Sequence, residues 1–191
     1  MKFIIGIGNE DRTYHGTRHN VGFRVVDLLQ SQVKSNSKAA RWSKKSDLQA
    51  LVAQWDENCF LVKSKLFVNN TGVTVSRIQA QNPGVDFSVC LFVCDDVNLK
   101  FGKMRLRSTG GAGGHHGLES VIGALGSEDF ARLRIGVGID SLPEDLTDFV
   151  LQNFSSEEEK ELKVILKKAA TVCESWMKDG FQAAQNKLSQ I

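Results

Sequence analysis

The stretch Thr17-Arg18-His19-Asn20-Val21-Gly22-Phe23 sets a histidine between a short apolar run and an amphipathic one. Imidazole titrates near neutral pH, so His19 could take a proton from water. A plainer reading makes these polar residues a helix cap or a solvated turn. A second chemical group is Asp95-Asp96, which closes the apolar run Ser88 to Cys94. Two carboxylates at the end of a buried strand are costly unless hydrogen-bonded or engaged in chemistry. A third is His115-His116, directly behind the loop Gly110-Gly111-Ala112-Gly113-Gly114. Asn9 and Asn69 complete the set. A histidine with a carboxylate is the minimum for activating water: the imidazole accepts the proton, and the carboxylate orients the ring. Amide side chains can hold a carbonyl and stabilise the oxyanion that grows on it.

These residues must be held by something, and the hydrophobic pattern says what. Phe3-Ile4-Ile5-Gly6-Ile7-Gly8 is short, β-branched and ends in glycine, as a buried strand does. Val21 to Leu29 is amphipathic at helical spacing. His19 thus falls where a strand hands over to a helix, the edge at which open α/β sheets bind ligands. Ser31 to Asp47, with Lys34, Lys38, Arg41, Lys44 and Lys45, reads as a polar connection. Leu48–Trp55 and Cys59–Lys63 read as strands joined by an Asp56-Glu57-Asn58 hairpin turn. Asn69 or Asn70 suits the N-cap of a helix carrying Val73, Val75 and Ile78.

The run Ser88 to Cys94 is apolar throughout, which fits a strand covered on both faces of a parallel sheet. Alternation in Lys103-Met104-Arg105-Leu106-Arg107 puts three basic side chains on one face of a strand, where they could meet phosphates. The glycine loop delivers the N-terminus of a helix over Leu118, Val121, Ile122 and Leu125, and such an end favours anions. Arg132 to Gly138 is a further strand. Leu142 to Phe154 is a loop with a short helix, and Ser155 with Glu158, or Ser156 with Glu159, caps a long amphipathic helix that ends at Gly180. One more helix follows over Phe181 to Leu188. The expected architecture is α/β: one domain over 1–191, with a mixed, largely parallel twisted sheet flanked by helices.

Composition narrows the classes. With 41% hydrophobic and 24% charged residues the chain is ordinary for a globular protein. A net charge of +2 does not by itself imply nucleic-acid binding, so an anionic partner must meet a local patch. Cys59, Cys90, Cys94 and Cys173 show no C-x-x-C spacing, and Cys90 and Cys94 read as small core residues. No secretory pattern opens the chain and no apolar run reaches ~18 residues. A cytoplasmic protein with reduced thiols is expected.

Several motifs fall away. Gly6-x-Gly8 is followed by Glu10-Asp11, which would repel a pyrophosphate, so a dinucleotide site is not expected. The glycine loop lacks the lysine and hydroxyl of a P-loop. His115-His116 with Cys94 and Asp95 has no metal-ligand spacing, and neither a metal nor another cofactor is expected. No G-x-S-x-G elbow is present. What the surviving residues describe is hydrolysis of an activated acyl group on a phosphate-bearing carrier.

The order and wording of these blocks closely resemble the bacterial peptidyl-tRNA hydrolase family. The resemblance is carried by Gly6-Ile7-Gly8-Asn9, Tyr14 and the Thr17–Phe23 stretch. Phe67-Val68-Asn69, Asp95-Asp96 with Leu99 and Gly102, Gly113-Gly114-His115, and Arg132-Leu133-Arg134-Ile135-Gly136-Val137-Gly138 complete it. It implies a monomeric enzyme that cleaves the ester between a peptide and the 3′ ribose of tRNA, without a metal or a membrane. By the same resemblance His19 is the general base and Asp95 its partner, with Asn9 holding the peptide backbone. Asn69 would lie by the ester, and Tyr14 and Phe67 would line the cleft with His115 and His116. Arg107 and Arg134 would face the tRNA 5′ phosphate, and residues 142–154 would form a lid. The family also has non-catalytic RNA-associated relatives that act through a protein partner, and a metal-dependent phosphoesterase is a third reading.

The chain departs from the family pattern at four places. Gly113-Gly114-His115-His116-Gly117 has His116 where asparagine is usual, and Glu10-Asp11 stands for a proline-glycine pair. Val68 replaces methionine, and Cys94 stands where histidine is common.

Overall fold

The computed structural model describes residues 1–33 and 38–191. Lys34 of the basic connection lies outside the described residues. Among the described residues seven strands form one sheet: β1 (Lys2–Gly6), β2 (Ser43–Lys45), β3 (Ala50–Gln54), β4 (Cys59–Ser64), β5 (Leu91–Lys100), β6 (Met104–Arg107) and β7 (Ala131–Gly138). Their spatial order is β2-β3-β4-β1-β5-β7-β6. The middle four, β4, β1, β5 and β7, run parallel, and antiparallel pairs close both edges. The sheet is mixed and largely parallel, as the sequence implies.

The parallel centre explains the continuous apolar runs. Side chains alternate between faces along a strand, so both sets need cover. Ile4, Leu91 and Val93 join the cluster under α1 (Val21–Gln32), α5 (Ser156–Asp179) and α6 (Phe181–Ser189). Ile5, Phe92 and Cys94 join the cluster under α2 (Thr71–Gln81) and α3 (His116–Leu125). Each fully buried Val, Leu or Ile contributes roughly 1.5–3 kcal/mol relative to exposure. All four cysteines are buried and unpaired, and burial pushes the Cys59 and Cys90 thiols up to about 12. They act as packing groups.

Close backbone approach fixes where α1 sits. A Cβ on Gly22 would meet the Val93 carbonyl oxygen at 2.2 Å, and one on Gly6 would meet the Gly22 carbonyl oxygen at 2.7 Å. The glycines at these two positions let the helix lie directly on β1 and β5, a packing role and not a nucleotide-binding one.

Three expectations are corrected. Strand β5 begins at Leu91, after a single helical turn over Phe87–Val89, and it runs through Asp95-Asp96 to Lys100. The carboxylates do not end the strand because both are hydrogen-bonded within the fold. Strand β2 arises inside the basic connection; it is a three-residue edge strand whose order comes from pairing with β3, and its sequence carries no alternation to announce it. Strand β3 starts at Ala50 instead of Leu48, because Gln49 turns with φ 50°. Asn70 holds the expected N-cap position of α2, but its side chain makes no cap hydrogen bond; the Thr71 hydroxyl donates to the Val68 carbonyl beside it.

The long helix α5 starts with the Ser155–Glu158 capping box, one of the two boxes the sequence offers. Residues 142–154 hold a short helix, α4 (Leu146–Leu151), capped by Asp145. Among the described residues no helix is long and apolar enough to cross a membrane.

Candidate active site

The chain leaves β1 toward β4 on one side and later returns to β5 on the other, so β1 and β5 flank the point where strand order reverses. In open α/β sheets the crevice beyond the strand ends at that point binds ligands. A cleft of about 450 Å³ lies there. Asn9 follows β1, Asp95 comes from β5, and His19 sits on the helical turn Arg18–Asn20 that leads into α1.

Asp95 is the centre of the arrangement. It is 2% exposed, and one of its oxygens, Oδ1, faces His19 Nδ1 at 2.8 Å and His115 Nε2 at 3.0 Å. The tautomer of His115 follows from its other nitrogen. His115 is the N-cap of α3, and its Nδ1 accepts the backbone N–H groups of Gly117 and Leu118. That nitrogen must be bare, so Nε2 carries the proton and donates to Asp95. His19 likewise donates from Nδ1, which leaves its Nε2 lone pair at the cleft wall.

The electrostatics agree with this geometry. Burial works against a charged His19, but the Asp95 charge and hydrogen bond outweigh it and raise the His19 pKa above 6.5. Burial also opposes ionisation of Asp95, yet the two imidazoles facing it hold its pKa far below the usual carboxylate range. The ligand-type atoms of His19, Asp95 and His115 lie within 4.8 Å of one another, close enough to invite a metal. His115 has no lone pair to give: freeing Nε2 would put a proton on Nδ1 and break the α3 cap.

Two asparagines build the next layer. Asn20 clamps the backbone of Asn9, accepting from its N–H at 2.7 Å and donating to its carbonyl at 2.8 Å. Asn9 Oδ1 accepts from the Val68 N–H, which ties β1 to the turn Val68–Asn70. With its oxygen and backbone engaged, Asn9 retains the Nδ2 amide for the cleft it lines. Sequence reasoning assigns no role to Asn20; only its place in the Thr17–Phe23 stretch marks it.

The other expected site residues separate into groups. Tyr14, Phe67, Asn69 and His116 all line the cleft. Phe67 is 60% exposed, and His116 is exposed with Nδ1 at 2.9 Å from Glu119 Oε2. Arg134 also lines the cleft, but its guanidinium is bonded to Asp96 and to the carbonyls of Gly111 and Ala112. Arg132, buried, reaches the carbonyls of Gly110 and Gly111. Two arginines from β7 therefore shape the glycine loop from beneath. Arg107 stands outside the cleft, exposed on β6 opposite Arg132. Leu146, Thr147, Val150 and Leu151 of α4, within the segment 142–154 that the family resemblance makes a lid, line one side of the cleft.

An α/β sheet that sets a buried carboxylate behind a histidine, beside amide side chains in a largely apolar cleft, has the groups that hydrolysis requires. The family model for peptidyl-tRNA hydrolase matches residues 3–191. A peptidyl-tRNA hydrolase of Mycobacterium marinum is 37% identical over 185 residues, covering 97% of this chain and 95% of that one. One from Chlorobium luteolum is 38% identical over 188 residues, covering 97% and 96%. In fold, the crystal structure of peptidyl-tRNA hydrolase from Acinetobacter baumannii superposes with a TM-score of 0.87 at 23% identity, covering 98% of this chain and 94% of that one. The chain belongs to the peptidyl-tRNA hydrolase family, and it is an enzyme.

Proposed function

We propose that the protein hydrolyses the ester joining a peptide, or an N-blocked aminoacyl group, to the 3′ ribose of tRNA, with His19 as general base. The observation that carries this reading is the shared Asp95 oxygen, which takes Nδ1–H of His19 and leaves Nε2 bare at the cleft. Water hydrogen-bonded to Nε2 attacks the ester carbonyl, and the imidazole takes its proton while Asp95 stabilises the imidazolium. Asn9 Nδ2 and the Asn69 amide are the donors for the peptide carbonyl and the growing oxyanion. Collapse breaks the bond to the ribose oxygen, which receives the proton from His19. The products are a peptide acid and free tRNA, and the enzyme returns to its starting protonation.

Tyr14 and Phe67 offer aromatic surface to the acceptor end, and α4 with its flanking residues 142–154 covers the cleft as a lid. Arg107 takes backbone phosphate at the exposed edge of the sheet, while Arg134 acts through the glycine loop it braces. Recycling of tRNA from prematurely released peptidyl-tRNA is the role this chemistry serves. The test is release of label from N-acetyl-aminoacyl-tRNA beside the unblocked aminoacyl-tRNA. Selective cleavage of the blocked form is expected; equal cleavage, or none, contradicts the substrate assignment.

A further inference from the structure

Next to His19 in the chain is a buried cation whose side-chain contacts all lead to α4, to the start of α5 and to the residues that join them. Arg18 is 7% exposed. Its Nη2 donates to both oxygens of Glu158, each at 2.8 Å, in the first turn of α5. Its Nη1 donates to the Asn153 carbonyl at 2.6 Å, just beyond the end of α4. The guanidinium carbon lies 4.7 Å from the ring centre of Phe149, on α4, and 5.1 Å from that of Phe154. Backbone bonds run parallel to these contacts: the Arg18 N–H donates to the Gln152 carbonyl, and Thr17 pairs with Asn153 in an isolated bridge. Arg18 Nε is buried with no partner.

An aliphatic side chain would fill this space without burying a charge or an orphan N–H. It would not join α4, α5 and the His19 turn through one planar group, which is what the guanidinium does. The α4 residues Leu146, Thr147, Val150 and Leu151 form the cleft wall that faces His19. We propose that Arg18 is a positioning residue that locks the C-terminal end of the α4 wall to the turn carrying His19, so that the cleft closes at a fixed distance from the base. The N-terminal approach to α4, residues 139–146, is exposed throughout, and its tie to the sheet, the Lys100–Asp140 ion pair at 2.7 Å, lies in solvent, unlike the buried Arg18 cluster. The wall is therefore held from one end, and movement of α4 pivots on the Arg18 cluster.

This inference rests on His19 being the base, but its test does not need turnover. Amide hydrogen exchange is measured on Arg18→Met, Arg18→Lys and Glu158→Gln beside the wild type, with kcat and KM for N-acetyl-aminoacyl-tRNA. In Arg18→Met, exchange across 147–154 is expected to quicken ~10-fold or more while β1 and β5 stay protected, since local opening is separable from global unfolding. KM should rise more than kcat falls. Arg18→Lys, which keeps the charge and loses the fork, should recover only part of both effects. Glu158→Gln should move exchange in the same segment and direction. Unchanged exchange at 147–154, or a rise spread over the whole chain, overturns the proposal. If Arg18→Met does not fold, Arg18→Lys and Glu158→Gln decide it by the same criterion. Loss of turnover in His19→Ala with the exchange pattern of the wild type separates the base from the anchor.

Discussion

Asp95 gives one oxygen to two imidazoles, and the consequence falls on His19. With His115 held as an Nε2–H donor by its helix cap, His19 is the one of the two imidazoles on Asp95 whose second nitrogen is left for the cleft. His19→Ala should lower kcat by at least ~100-fold, the lower range for removing a general base; steady-state hydrolysis of N-acetyl-aminoacyl-tRNA measures it. His19 and Asp95 were legible in the sequence as residue types at strand ends, and the family resemblance paired them across 76 positions. The double role of His115 was not legible. Its neighbour His116 carries the same side chain yet points to Glu119 at the surface, and nothing in the letters separates the two. The partners of Arg134 were not legible either: Asp96 and the carbonyls of Gly111 and Ala112 engage its guanidinium at the cleft wall.

At the scale of elements, the site depends on how closely α1 lies on the sheet. A Cβ on Gly22 would sit 2.2 Å from the Val93 carbonyl oxygen, two residues before Asp95 on the same strand. Gly22→Ala must therefore push the helix, and with it His19, away from β5. The expected cost is about 3 kcal/mol or more in urea unfolding, the range of disrupted core packing. Gly123, exposed within α3, supplies the contrast: an added Cβ would meet nothing within 4 Å beyond its chain neighbours and its own helix backbone. Gly123→Ala should stabilise the protein by ~0.5–1 kcal/mol through helix propensity alone. The sequence marks both positions only as glycine in a helix; the difference is tertiary. The overrun of β5 through Asp95-Asp96 has the same origin. Hydrophobicity ends at Cys94, but the histidines and Arg134 satisfy the carboxylates and the backbone ladder continues.

At the scale of the molecule, the parallel centre with covered faces was readable from the continuous apolar runs, and the capping box and Gly180 gave the bounds of the longest helix. The edges were less readable, because β2 is too short to show a period. The net charge of +2 supplies no general attraction, so the proposed phosphate contact must come from a local patch such as the β6 edge. Lys103, Arg105 and Arg107 are exposed along that edge, outside the lining of the cleft. Arg107→Ala should weaken the tRNA-linked substrate more than a short aminoacyl ester. It should also reduce the slope of log affinity against log salt by about 1, as loss of one phosphate contact does. Equal loss on both substrates would place Arg107 in the fold and not at the interface.

The most direct test of the account is the pH dependence of kcat/KM for N-acetyl-aminoacyl-tRNA, compared between the wild type and Asp95→Asn. A base must be unprotonated to act, so activity rises as pH climbs through the His19 pKa, which Asp95 holds above 6.5. The account predicts a wild-type acid limb centred above 6.5, and in Asp95→Asn a lower rate with that limb displaced to lower pH. An acid limb that stays in place when the carboxylate is removed would contradict it.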